Sequence, residues 1–155
     1  MHKQYQGRNL RKGRTSIPNQ VYLITTITKN RTPIFQDFYA ARILVGALRF
    51  QTQQQQCQTL AFVIMPDHLH WLLALESTQD LPYIVKAVKQ FSAKQINRRN
   101  SSTGTALWQK GFHDHALRKE ENIQATARYI VANPLRAGLV TKIGDYPHWD
   151  AIWLL

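Results

Sequence analysis

The chain has a single cysteine, Cys57, among its 155 residues. One thiol excludes an internal disulfide and a thiolate-built zinc cage, and it reads as a small packed residue near a strand start. Long hydrophobic runs are also missing. Nothing approaches the ~20 apolar residues of a membrane span, and no apolar stretch follows the polar, basic N-terminus as it would in a secretory signal. The expected location is cytoplasmic. Acid is the third scarcity: nine Asp and Glu stand against twenty Lys and Arg, a net charge of +11. Such a balance favours polyanions. The charge alone does not choose among DNA, RNA and an anionic membrane, but no strongly amphipathic basic helix stands out at the termini, which makes the membrane the weakest of the three.

What is present is the composition of a folded domain, 44% hydrophobic and 19% charged. The length suits one domain, residues 1–155, with a core of its own. Lys3, Arg8, Arg11, Lys12 and Arg14 form an acid-free basic arm within residues 1–18. It reads as partly flexible and able to follow phosphates.

Val21 to Thr28 is rich in β-branched and aromatic residues and predicts a strand. Asp37 is a candidate N-cap for a helix to about Gln51, in which Gly46 suggests close packing. Thr59 to Met65 predicts a buried strand, Pro66-Asp67 a turn, and His68 to Leu75 an antiparallel hairpin partner. Asp80 and Pro82 open a helix over 82–98. Ile84, Val88 and Phe91 share one face of it, and Lys86, Lys89, Lys94 and Asn97 form a solvated stripe on the other. Residues 106–118 predict a strand with Gly111 as a bulge. A last helix starts near Glu121 and Asn122, is interrupted at Asn133-Pro134, and ends at Gly138. The order is that of an α+β, ferredoxin-like βαββαβ antiparallel sheet with an additional C-terminal helix.

The chemistry gathers at two places. In the stretch MPDHLHWLL, strand alternation puts His68 and His70 on one face, roughly 7 Å apart along the backbone, and Leu69 and Trp71 on the other. Neutral imidazole is the commonest protein ligand for a divalent metal. On the last helix, Tyr129 and Asn133 are four residues apart and project together. An amide oxygen suits a hard cation such as Mg²⁺ or Mn²⁺. A phenol becomes a competent nucleophile towards a phosphate that is polarised and held in line.

MPDHLHWLL resembles the histidine-hydrophobe-histidine, or HUH, motif of the single-strand DNA transposases that use one tyrosine. ARYIVANPLRAGLV resembles their tyrosine helix. Tyr129, then Asn133-Pro134, then Arg136-Ala137-Gly138-Leu139-Val140 is similar to the REP-associated tyrosine transposases. WQKGFHDHALR and DYPHWDAIW also sit where that group has similar segments, so the likeness runs from about Arg11 to Trp153. It implies an enzyme that cuts single-stranded DNA at the foot of a REP-like hairpin through a 5′-phosphotyrosine. His68, His70 and Asn133 would hold Mg²⁺ or Mn²⁺, and Tyr129, on the C-terminal helix, would attack. Arg11, Lys12, Arg14 and Arg136 would contact DNA, and a monomer is favoured over a dimer.

Two other readings stay open: a ferredoxin-like module that binds hairpins without cutting, for which Tyr22 and Phe62 are conceivable stacking platforms although both are expected to pack in the core, and a metal-dependent nuclease in which water attacks. His113-Asp114-His115 repeats the His-x-His spacing, but its middle residue is acidic and offers no anchor. It reads as a surface or DNA-facing pair. His2 and His148 are expected to have no role.

Overall fold

The computed structural model describes residues 20–76, 80–102, 104–118 and 121–154. Arg11, Lys12 and Arg14 lie outside them. The strands are β1 (Val21–Ile27), β2 (Cys57–Met65), β3 (His68–Leu75), β4 (His113–Ala116) and β5 (Trp149–Ala151). The helices are α1 (Phe38–Gln53), α2 (Leu81–Arg99), α3 (Ile123–Val131) and α4 (Asn133–Arg136), with short 3₁₀ turns besides. The sheet is antiparallel throughout, in the order β4-β1-β3-β2-β5. Its first four strands have the ferredoxin-like arrangement expected from the sequence.

Local chemistry sets the element ends. The Asp37 side chain accepts a hydrogen bond from the Tyr39 amide and starts α1. Asp80 precedes α2, with Pro82 in its first turn. Asn122 accepts from the Ala125 amide and starts α3. Each acceptor satisfies an amide that the helix itself cannot.

The alternation along β3 divides the molecule into two layers. Leu69, Trp71, Leu73 and Leu75 face a core shared with α1 and α2. Trp71 and Leu69 are each 1% exposed, and burying such a side chain contributes about 1.5–3 kcal/mol. The opposite face packs Leu72, Val63 and Met65 against Ala127 and Ile130 of α3. By the same alternation, His68 and His70 belong to this second face. The tyrosine helix therefore covers the histidine side of the sheet, while α1 and α2 cover the other.

Several details depart from the sequence reading. A fifth strand, β5, pairs with β2 through Ala61↔Ala151 and Val63↔Trp149. The strand expected over 106–118 shortens to His113–Ala116, because the segment before it is held by a side chain. Lys89 Nζ donates to the carbonyls of Gln109 (2.8 Å) and Gly111 (2.6 Å). Lys89 is thus half-buried rather than solvated, and desolvation lowers its pKa to about 8. Gly111 has φ +74° in the turn before β4 and is not a bulge within it. Phe91, expected on the buried face of α2, is 48% exposed. Gly46 does not serve close packing, since a Cβ there would meet nothing within 4 Å. Asp114, expected to anchor nothing, is itself buried. Its strand partner Ile24 faces the α1–α2 core, so His113 and His115 point to the histidine side. Tyr22 and Phe62 are buried in the same core, which removes them as stacking platforms. Among the described residues no helix is long and apolar enough to cross a membrane.

Candidate active site

The two-residue Pro66-Asp67 turn joins β2 to β3 and is tied down from both sides. The Thr28 amide donates to the Asp67 carbonyl (2.9 Å) and the Phe35 amide to the Pro66 carbonyl (2.9 Å). This fixes where β3 begins and aims His68. The two imidazoles then stand edge to face, with ring centroids 4.8 Å apart and planes at 81°.

Both rings are oriented through Nδ1. His68 Nδ1 lies 2.6 Å from Asp67 Oδ1. Burial raises the Asp67 pKa, but the bond from His68 and the charges of His68 and Arg31 outweigh it and hold the carboxyl below its ordinary value. An ionised carboxylate only accepts, so Nδ1 donates to Asp67 and Nε2 is the nitrogen left to face a ligand. His70 Nδ1 lies 2.9 Å from the Thr25 hydroxyl, which sits opposite it on β1. A hydroxyl can donate or accept; in the tautomer with the proton on Nδ1 it accepts, and Nε2 keeps the lone pair that could ligate. Metal-ligating histidines have this arrangement, with the second ring nitrogen bonded to a carboxylate or other acceptor that sets tautomer and aim. The donor set therefore fits a divalent cation. Among the described residues no group of three or more His, Cys, Asp or Glu could hold a metal ion.

Desolvation, then the neighbouring charges of His68 and Arg136, lower the His70 pKa to about 4. The ring is neutral at pH 7. The unfolded chain binds this proton near the ordinary 6.5 and the native state only near 4, so acid favours unfolding between those values. We expect stability present above pH 6.5 to be lost progressively towards pH 4, on the order of 3 kcal/mol from this group. Urea denaturation at pH 7 and 4.5 checks it: His70→Gln should flatten the difference, and an equally steep loss in that variant would contradict it.

The helix side is organised by Arg136. α3 ends at Val131, and α4 begins at Asn133 with Pro134 in its first turn. The Arg136 side chain reaches back over this break. Its Nη2 donates to the Tyr129 carbonyl (2.6 Å) and to Asn133 Oδ1 (2.8 Å). Its guanidinium lies 3.9 Å from the centroid of the Tyr129 ring. Tyr129 is 66% exposed, so its hydroxyl is not spent in the core. Tyr129, Asn133 and Arg136 thus form one unit, close enough to His70 for the Arg136 charge to lower that pKa. The Asn133 oxygen, expected as a ligand, is occupied by Arg136, and Arg136, expected on DNA, is occupied within the chain.

Asp67 and Thr25 were not singled out from the sequence. Asp67 had a signal, standing directly before His68. Thr25 had none, because its role depends on strand pairing. In the second His-x-His segment, His115 is exposed and its Nε2 lies 3.1 Å from Glu121. His113 is half-buried beside Thr25, two strands from His70. His148 is buried against Phe38 and Tyr146.

Comparison with known proteins identifies the family and the fold. A REP-associated tyrosine transposase of Escherichia coli K12 is 27% identical over 88 residues, 56% of this chain and 50% of that protein. A provisionally named REP-associated tyrosine transposase of Haemophilus influenzae is 25% identical over 138 residues, 83% of this chain and 77% of the relative. The solved structure of a REP-associated tyrosine transposase bound to a REP hairpin superposes with a TM-score of 0.71 at 21% identity, over 96% of this chain and 82% of that one. The fold is therefore shared. The family model described as "Transposase IS200 like" matches residues 16–133, a span that includes both histidines, the tyrosine and Asn133, and the chain belongs to that family of transposases.

Proposed function

We propose that this transposase cuts and rejoins single-stranded DNA at a REP-like hairpin through a covalent 5′-phosphotyrosine at Tyr129. The observation that carries the reading is the shared face. α3 packs on the side of the sheet that presents His68 and His70, with the Tyr129 ring exposed and held by Arg136. A binding module has no use for an aimed pair of imidazoles on the same side of the sheet as an exposed phenol.

His68 and His70 would hold Mg²⁺ or Mn²⁺ through Nε2, with Asn133 as the third protein ligand. What the cation supplies when bound is positive charge that polarises the scissile phosphate. The chain's own groups do the rest. Asp67 and Thr25 keep the rings in the donor tautomer. The buried site of His70 keeps it neutral, so it does not compete for a proton at pH 7. Tyr129 Oη attacks phosphorus, the P–O3′ bond breaks, the phenolic proton leaves to solvent, and the departing 3′-oxygen takes one from solvent to become a 3′-hydroxyl. That hydroxyl can reverse the step, because the phosphotyrosine conserves the energy of the phosphodiester.

Arg136 has a double part. A guanidinium binds a phosphate more strongly than neutral amide and carbonyl oxygens. Arrival of the DNA backbone would draw Arg136 from Asn133 and free that oxygen for the cation. Arg136→Ala should leave Tyr129 unrestrained and slow cleavage by about 100-fold, the scale of a small misplacement at a reacting centre. Arg136→Lys should recover only part, since an ammonium cannot make the forked contacts. Single-turnover rates decide it, and a wild-type rate in Arg136→Ala would remove Arg136 from the site.

The function itself is tested by incubating the protein with single-stranded hairpin DNA from the flanks of its own gene, in Mg²⁺ or Mn²⁺. The expected products are a strand with a polymerase-extendable 3′-hydroxyl and a 5′ end blocked by protein. Two free ends would instead indicate water as the nucleophile, and uncut DNA would indicate a binding module.

A further inference from the structure

The helical layer on the other side of the sheet has a surface that this chemistry does not use. Ile43, Gly46 and Phe50 follow one another along α1 at helical spacing, and Phe91 and Arg98 do so on α2. They line an open groove of about 540 Å³ between the two helices. Gly46 widens it, because even a Cβ would meet nothing there within 4 Å. Phe50 is 54% exposed and Phe91 48%, so among the described residues two aromatic rings stand half in water.

The rim is cationic, with Arg49, Arg98 and Arg99 and no carboxylate among the lining residues. Arg99 is committed elsewhere, to an ion pair with Asp37 and to the Tyr39 ring at 4.8 Å. Arg49 and Arg98 have no ion-pair partner among the described residues.

An apolar peptide would satisfy the rings and strand the guanidiniums. An acidic peptide would do the reverse. A duplex keeps its base faces inside its own stack. Single-stranded DNA matches both halves, since bases stack on exposed aromatics and phosphates pair with arginine. We propose that the α1–α2 groove is a second single-strand DNA site, in which Phe50 and Phe91 stack on bases and Arg49 and Arg98 hold the adjoining phosphates, on the opposite face of the sheet from His68 and His70. Two sites on one domain would let it hold a flanking strand while the histidine face works on the hairpin, with the gain in avidity that linkage brings.

The test uses the full chain and a short fluorescent oligothymidylate. The probe forms no hairpin, so the result does not depend on whether Tyr129 cuts DNA. Phe50→Ala with Phe91→Ala should weaken binding about tenfold or more, the scale of lost base stacking. Arg49→Gln with Arg98→Gln should reduce the slope of log affinity against log salt by about 1.4, or ~0.7 for each single-strand phosphate contact. Ultraviolet crosslinks to the parent protein should map to Phe50 or Phe91. All four side chains are exposed, so the variants should fold. Affinity and salt slope unchanged in both double variants would overturn the proposal, as would crosslinks confined to the histidine face. Self-association lost in the phenylalanine variant, with oligothymidylate affinity unchanged, would assign the groove to a second copy of the chain and overturn it equally.

Discussion

Tyr129→Phe should reduce hairpin cleavage by roughly 10³-fold or more, the scale of losing a nucleophile, while hairpin affinity stays within about twofold. The substitution removes one oxygen. The ring remains under the Arg136 guanidinium, because that contact is made to the ring face at 3.9 Å and the Arg136 bonds run to the Tyr129 backbone carbonyl and to Asn133. The helix end should keep its shape, and phosphate contacts that dominate such interfaces should persist. Gel-shift affinity and single-turnover cleavage measured on the same preparation separate the two quantities. Cleavage that survives the substitution would shift the mechanism to a water nucleophile. Affinity that collapses with it would make Tyr129 a binding residue instead.

The second large effect lies on the strand. His68→Ala should abolish cleavage in Mg²⁺ through loss of a ligand, with excess Mn²⁺ restoring a trace. Asp67→Asn is the sharper experiment. It keeps the size of the side chain and removes the charge that keeps the proton on His68 Nδ1. Metal affinity should fall about 10–100-fold, as it does when the acceptor behind a metal-bound histidine is lost, and calorimetric titration with Mn²⁺ measures this without any DNA. His115→Ala is the control. That ring is exposed and paired with Glu121, so metal affinity and cleavage should stay near those of the parent. An Asp67→Asn variant with undiminished Mn²⁺ affinity would show that the His68 nitrogen is not a ligand.

How much of this was legible in the sequence depends on how local each cause is. The bounds of β3, His68–Leu75, were readable because alternation and the Pro66-Asp67 turn both lie within a few residues. Helix starts at Asp37 and Asn122 were readable because a cap is a side chain beside its own helix, and the start after Asp80 because Pro82 suits a first turn. Proline chemistry predicted a break at Asn133-Pro134, but it falls one residue earlier, at Ala132, and Asn133 opens the next helix. β5 was not, since three residues carry no period and owe their conformation to pairing with β2. Lys89 looked solvated because helical spacing cannot show that the 109–111 segment folds over it. Phe91 looked buried for the same reason, as it sits at the margin of a face whose width the tertiary packing decides. The strand at 106–118 was overextended because Trp108 makes only an isolated bridge to Thr28 before Lys89 draws the Gln109 and Gly111 carbonyls aside. In the site, the pair His68 and His70 and the pair Tyr129 and Asn133 were legible as pairs. Their union on one side of the sheet was implied by resemblance, and only the packing of α3 over Val63, Met65 and Leu72 gives it a physical cause. The Arg136 bridge and the Thr25 bond to His70 are tertiary in origin and left no local mark.

The central claim is a covalent bond between Tyr129 and DNA. The most direct measurement is the mass of the intact protein after reaction with hairpin DNA and Mn²⁺, followed by denaturation and peptide mapping. The account predicts a species heavier by one cleaved strand, with the modification on Tyr129 and none in Tyr129→Phe. Efficient cleavage with the protein mass unchanged throughout the reaction, or an adduct mapped to any other residue, would contradict it.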